Sequence, residues 1–158
     1  MSTRNIVELG NETLRKISKP VVIFDEDLWT LLDDMKQTML EKHGMGISAV
    51  QVGVLRRAIV IEYEEDKFIE IINPTILKTK GKAKASEGCL SVPGFYCDVE
   101  RPKYAKIEAF DRFGKKFEFE GTDYVARCIC HEIDHLNGVL FVDLTKEGQE
   151  YKRKKGAR

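Results

Sequence analysis

Tyr124-Val125-Ala126-Arg127-Cys128-Ile129-Cys130-His131-Glu132-Ile133-Asp134-His135-Leu136 reads as one helix, ended by Asn137-Gly138. Within it His131-Glu132-Ile133-Asp134-His135 spells H-E-x-x-H, and two of the chain's three histidines fall there. Residues four apart share a helix face, so His131 and His135 can turn their rings toward one metal ion. Glu132 stands one position round the cylinder, close enough to act on water at that ion without being a ligand. A metal lowers the pKa of water to roughly 7, and a carboxylate can take and return its proton. The pattern suits hydrolysis.

Around this helix the periodicity predicts an α+β fold, with antiparallel sheets packed around a central helix. Asn11 to Ile17 reads as a short first helix with Asn11 as its cap and Pro20 as its stop. Asp25 to His43 is longer: Leu28, Leu31, Leu32, Met35, Met39 and Leu40 recur at three- and four-residue intervals, and Gly44-Met45-Gly46 ends it. From there to about Asp123 the pattern is strand-like. Ala58 to Ile61 is a buried apolar run, and Phe68 to Ile72 leads into a turn at Asn73-Pro74. Tyr104 to Phe110 and Lys116 to Glu120 make an antiparallel hairpin across Asp111-Arg112-Phe113-Gly114. Thr145 to Lys155 is a polar terminal helix with a basic last turn.

The 158 residues carry 26 Lys and Arg against 26 Asp and Glu, a balance unlike that of a dedicated nucleic-acid binder. Nothing divides the chain, so residues 1–158 are expected to form a single domain; a monomer is the expected state, although the sequence does not fix it. No apolar run approaches the roughly 20 residues that span a bilayer, so no membrane partner is expected. The first residues lack the apolar core of a signal peptide, which makes the cytoplasm the default expectation. Cys128 and Cys130 are too close to bridge each other comfortably, so Cys89, Cys97, Cys128 and Cys130 are read as free thiols or ligands.

A catalytic metal site wants three protein ligands with the fourth position left open. For the third, Cys89, His43, an acidic residue, Cys128 and Cys130 are candidates. On a helix Cys130 points about 100° away from His131, and Cys128 would crowd every ligand onto one helix. Cys89 lies in Glu87-Gly88-Cys89-Leu90-Ser91-Val92-Pro93-Gly94, where Gly88 permits close backbone approach and Pro93 stiffens the backbone after it. His43, at the end of the long helix, reads as a surface residue favoured by the helix dipole. Trp29 reads as core or its rim.

Glu87-Gly88-Cys89-Leu90-Ser91 and His131-Glu132-Ile133-Asp134-His135-Leu136, with Gly44-Met45-Gly46-Ile47-Ser48-Ala49-Val50-Gln51, together resemble the three motifs of the peptide deformylases. They come in family order and cover nearly the whole chain. The resemblance implies removal of the N-formyl group from the N-terminal methionine of N-formylmethionyl nascent peptides, with release of formate. It implies Cys89, His131 and His135 as metal ligands and Glu132 as general acid/base. The Gln51 side-chain amide and the Leu90 N–H become the oxyanion hole, and Glu87 a support for the motif residues. The metal implied is Fe(2+), with Zn(2+), Ni(2+) or Co(2+) as other occupants. Met45, Gly46, Ile47 and Glu87 are candidate substrate contacts, Gly46 as backbone beside an extended peptide, and Ile129 is a further candidate wall. The basic tail, Tyr151 to Arg158, is expected to end a solvated helix or to dock on ribosomal RNA, as is proposed for the family's C-terminal helix.

Cys130 departs from the family's frequent Gln, and Ser48 and Val50 from frequent Ala and Pro or Thr. Two other classes fit parts of the pattern. A general zinc endopeptidase would leave Cys89 and Gln51 unexplained and would cut internal peptide bonds. A metal-stabilised binding module would have no need of Glu132 and would show no turnover. A dinucleotide loop at Gly44-Met45-Gly46 fails because it comes after a helix and no third glycine arrives on schedule.

Overall fold

In a computed structural model, which describes residues 2–158, Asp25 accepts a hydrogen bond from the Leu28 N–H at 3.2 Å and so opens the longest helix. That helix, α1, spans Glu26–Glu41. Its apolar stripe, Leu28, Leu31, Leu32, Met35 and Met39, is fully or almost fully buried. His43 then turns the chain in the left-handed region at φ 58°, so the turn is made by histidine and not by the glycines after it.

Seven strands come next: β1 Gly46–Ser48, β2 Ala58–Glu64, β3 Lys67–Lys80, β4 Ala83–Cys89, β5 Val92–Arg101, β6 Tyr104–Phe110 and β7 Lys116–Thr122. Then come α2, Asp123–Leu136, and α3, Lys146–Lys154. Five strands form one antiparallel sheet in the order β1-β2-β3-β6-β7, while β4 and β5 pair separately. The α+β expectation holds, and α2 carries H-E-x-x-H.

The large sheet is sandwiched, which explains the unbroken apolar run in β2. Ala58 and Val60 face α1, whereas Ile59 and Ile61 face Ile129, Ile133 and Leu136 of α2. Successive side chains point to opposite faces, so a strand covered on both sides reads as continuously hydrophobic. Each fully buried Leu or Ile here contributes about 1.5–3 kcal/mol relative to exposure. The β4–β5 hairpin lies along another side of α2, tied there by Arg127, whose guanidinium donates to Val99 O at 2.7 Å and Ala83 O at 2.9 Å.

Two local expectations need correction. The first helix is a single 3-10 turn, Glu12–Arg15, capped by Asn11 as expected. The turn at Asn73-Pro74 is not a turn. Strand β3 runs through it with a register shift between Ile72 and Thr75, and Asn73, at φ 51°, bonds the Val21 backbone through both side-chain atoms. Glu87 to Cys89 belongs to strand β4, with Leu90-Ser91 as the hairpin tip.

Candidate metal centre and active site

Strand β4 ends at Cys89, and the hairpin it forms with β5 leans on α2 where His131 and His135 stand one turn apart. Cys89 Sγ lies 3.3 Å from His135 Nε2, which lies 3.2 Å from His131 Nε2. One ligand atom from each residue falls within 4.8 Å of the others. A tetrahedral metal at about 2.0–2.3 Å from such donors separates them by about 3.3–3.6 Å, so the spacing suits a common ion. The chemistry of the trio points the same way. Burial works against charge on His131, but contact with Cys89 and Glu87 outweighs it and holds the imidazole well above its ordinary range. Burial and the neighbouring His131 push His135 well below it. A sulfur beside two imidazoles, only one of which can hold a positive charge, forms a set that a metal cation satisfies. Of the candidates for a third ligand, the structure brings Cys89 to the histidines. His43 is exposed at the end of α1.

Glu87 sits behind this trio, 6 % exposed. Its Oε1 lies 2.5 Å from His131 Nδ1, a contact that keeps a proton on Nδ1 and leaves Nε2 as the nitrogen that a metal would take. Arg101, equally buried, donates to both Glu87 oxygens at 3.2 and 2.7 Å and to Asp134 at 2.6 Å, and Arg127 adds a bond to Glu87 at 2.9 Å. Burial alone would raise the Glu87 carboxyl; His131 and Arg101 overcome it and hold the group well below the usual range.

Glu132 points toward β1. Its Oε1 accepts from the Ser48 hydroxyl at 2.9 Å, and a Cβ on Gly46 would stand 2.8 Å from its Oε2. Burial pushes this carboxyl above its ordinary value, which suits a group that must pick up a proton and give it back. Gln51 occupies the 3-10 turn Ala49–Val52 immediately after β1. The Ser48 N–H donates to its Oε1 at 3.0 Å, so its Nε2 faces Ser91 Oγ at 3.1 Å and Cys89 Sγ at 3.5 Å. Leu90 caps the hairpin tip, and a Cβ on Gly44 would stand 2.8 Å from its side chain. The two glycines expected to end α1 therefore allow close approach, Gly44 to Leu90 and Gly46 to Glu132.

A cavity of about 660 Å³ opens over these groups, lined among others by Met45, Gly46, Gln51, Glu87, Cys89, Leu90, Tyr124, Cys128, His131 and Glu132. Burial pushes the Cys128 thiol up to about 12, so it presents a neutral sulfur to the cavity. Ile47 and Ile129 are not among its walls. Strand alternation turns Ile47 into the α1 core, and Ile129 faces the large sheet. Ser48, Ser91, Arg101 and Arg127 are participants that the motifs did not single out for a role in the site. Nothing in a single sequence distinguishes a buried arginine from an exposed one.

A sulfur and two imidazoles converging beside a buried carboxylate, on antiparallel strands around one helix, are an arrangement able to hold a metal ion for hydrolysis. Residues 3–150 match the family model described as polypeptide deformylase. The peptide deformylase of Thermoanaerobacter pseudethanolicus is 49% identical over 143 residues, covering 90% of this chain and 89% of that protein. That of Caldicellulosiruptor bescii is 48% identical, covering 99% and 96%. Among solved structures, a peptide deformylase from Synechococcus elongatus in complex with actinonin superposes with a TM-score of 0.91 at 40% identity, covering 98% of this chain and 87% of that one. One from Legionella pneumophila gives 0.89 at 42%, with 99% of each covered. The chain belongs to the peptide deformylase family, the hydrolases that remove the N-formyl group from the N-terminal methionine of new polypeptides.

Proposed function

We propose that residues 1–158 act as one catalytic domain in which Glu132 carries the proton for deformylation. The observation that carries this is a buried carboxylate with a raised pKa beside three converging metal donors. Cys89 Sγ, His131 Nε2 and His135 Nε2 would hold the metal, which when bound supplies a Lewis acid that makes water nucleophilic near neutral pH. Glu132 takes the proton of the attacking water and delivers it to the amine as the formyl C–N bond breaks, so formate and a free N-terminus leave. The Gln51 Nε2–H and the Leu90 N–H donate to the formyl oxygen as it gains charge; losing one such donor typically costs about 10²–10³ in rate. Glu87, held by Arg101 and Arg127, keeps the His131 ring turned to the centre. Met45, Gly46 and Cys128 line the space for the methionine end of the substrate.

A thiolate beside two imidazoles suits ferrous iron, and zinc, nickel or cobalt would also fit such a set. Arg153, Lys154 and Lys155 at the exposed end of α3 support docking on the phosphate backbone of ribosomal RNA. The acting species is proposed to be a monomer in the cytoplasm.

The test is formate release from formyl-Met peptides by anaerobically prepared, iron-loaded protein, compared with Glu132→Gln. That variant is nearly isosteric and should keep a full complement of metal while kcat falls by several orders of magnitude. Loss of the metal in the variant would mean that Glu132 is a ligand, and the proton role would be withdrawn.

A further inference from the structure

Ser48 makes an unusual pair of contacts. Its Oγ lies 2.9 Å from Glu132 Oε1 and 2.9 Å from the Glu132 backbone oxygen, while its own N–H donates to Gln51 Oε1 at 3.0 Å. The residue is wholly buried, and Glu132 nearly so, so solvent is poorly placed to take over these bonds. Gly46, two residues earlier on the same face of β1, closes the other side of the carboxyl, since even a methyl group there would stand 2.8 Å from Oε2. A hydroxyl has one proton to donate and lone pairs to accept with, and of the two oxygens it faces one is the Oε1 of the catalytic carboxyl and the other a backbone carbonyl of α2.

We infer that Ser48 is a positioning residue for Glu132, holding its carboxyl against β1. With an ionised carboxylate the hydroxyl donates to Oε1. The same hydroxyl reaches the Glu132 backbone oxygen, so it ties both ends of that residue to β1. An alanine at 48, frequent in the family, makes neither contact, so this chain seats its carboxyl with a bond that many relatives do without. Through its N–H the same residue fixes which end of the Gln51 amide faces Cys89, so one position on β1 sets the orientation of both groups.

The inference rests on Glu132 being the proton carrier, and the experiment separates the two. Ser48→Ala, Ser48→Thr and Ser48→Val would be prepared beside wild type and Glu132→Gln, each assayed for kcat, KM, bound metal and thermal midpoint. Thr and Val are closely matched in size, so any strain from the added bulk is common to both and their ratio reads the hydroxyl. We expect kcat of Ser48→Ala to fall about tenfold with KM within about twofold, metal at one per chain, and Thr to exceed Val in kcat at least about fivefold. The inference is overturned if Ser48→Ala keeps wild-type kcat, whatever its midpoint, or if Thr and Val turn over alike. If Glu132→Gln itself stays active, the proton role of Glu132 fails first, independently of anything Ser48 does.

Discussion

At the scale of single residues, Gln51 does two things at once. It is 1 % exposed, and its amide spends one end on the Ser48 N–H and the other on Ser91 Oγ, with Cys89 Sγ 3.5 Å away. Gln51→Leu therefore strands a buried donor on Ser48 and the Ser91 hydroxyl, a loss of about 1–3 kcal/mol in stability. If the amide also donates to the developing oxyanion, kcat and kcat/KM should drop together by about 10²–10³ for the folded, metal-loaded fraction. Measuring turnover per bound metal beside the melting curve separates the two effects. A destabilised variant with full turnover per metal would remove the oxyanion role and leave Gln51 as a brace. The same residue shows how legible the site was from sequence. His131, Glu132 and His135 stood out because metal chemistry demands those residue types at that spacing on one helix, whereas Cys89 was one candidate among several until the family resemblance selected it. Ser48, Ser91 and Arg101 did not stand out, because their parts depend on partners as many as 84 positions away. No local pattern encodes such partnerships.

Elements place these residues, and the critical contact between elements is the approach of β1 to α2. Gly46 has an ordinary backbone conformation, so alanine would be tolerated there on backbone grounds. The obstacle is that the added methyl would meet Glu132 at 2.8 Å. Gly46→Ala should thus leave the fold in place, push the carboxyl off its seat, and lower kcat by more than about tenfold. Circular dichroism and metal content should match wild type. A fully active Gly46→Ala would show that the carboxyl has room to spare and that β1 does not fix it. Periodicity was a good guide to α1, α2, and the β6–β7 hairpin, where one face is buried and the repeat is clean. It misled at Asn73-Pro74, where two turn-forming residues sit inside a 14-residue strand that bends through a register shift. It did not single out β4, because Ala83-Lys84-Ala85-Ser86 has no β-branched residue and its alternation rests on two alanines, which are poor strand formers. That strand exists through pairing with β5 and the arginines anchored on α2, both of which are tertiary causes.

Across the whole molecule, two carboxylates fasten the ends of the chain to its body, and they make acid stability predictable in sign. Asp34 on α1 accepts from the Ser2 N–H at 2.9 Å and from Arg4 at 3.0 Å, and these hold it below its usual range against the pull of burial. Burial would also raise Asp143, but Arg15 at 2.6 Å, Lys152 at 2.8 Å and the Leu140 N–H at 2.9 Å outweigh it and lower the group. Asp143 thereby joins the N-terminal 3-10 turn to α3. A carboxyl whose folded pKa is depressed contributes stability that is fully present above its unfolded value of about 3.9. That contribution disappears as the pH falls through the lower, folded value, because the proton then binds folded and unfolded chains alike. Asp34→Asn and Asp143→Asn should therefore melt below wild type at pH 7, with the gap closing progressively below about pH 4. The two carboxylates share no hydrogen-bond partner, so the double variant should show the sum of the single gaps. Comparing each variant with wild type at the same pH cancels the protonation of the metal ligands, which both proteins suffer equally. Were the gap to stay constant from pH 7 to pH 3, these carboxylates would be acting through shape and neutral hydrogen bonding, and the charge linkage between the chain ends and the core would be wrong.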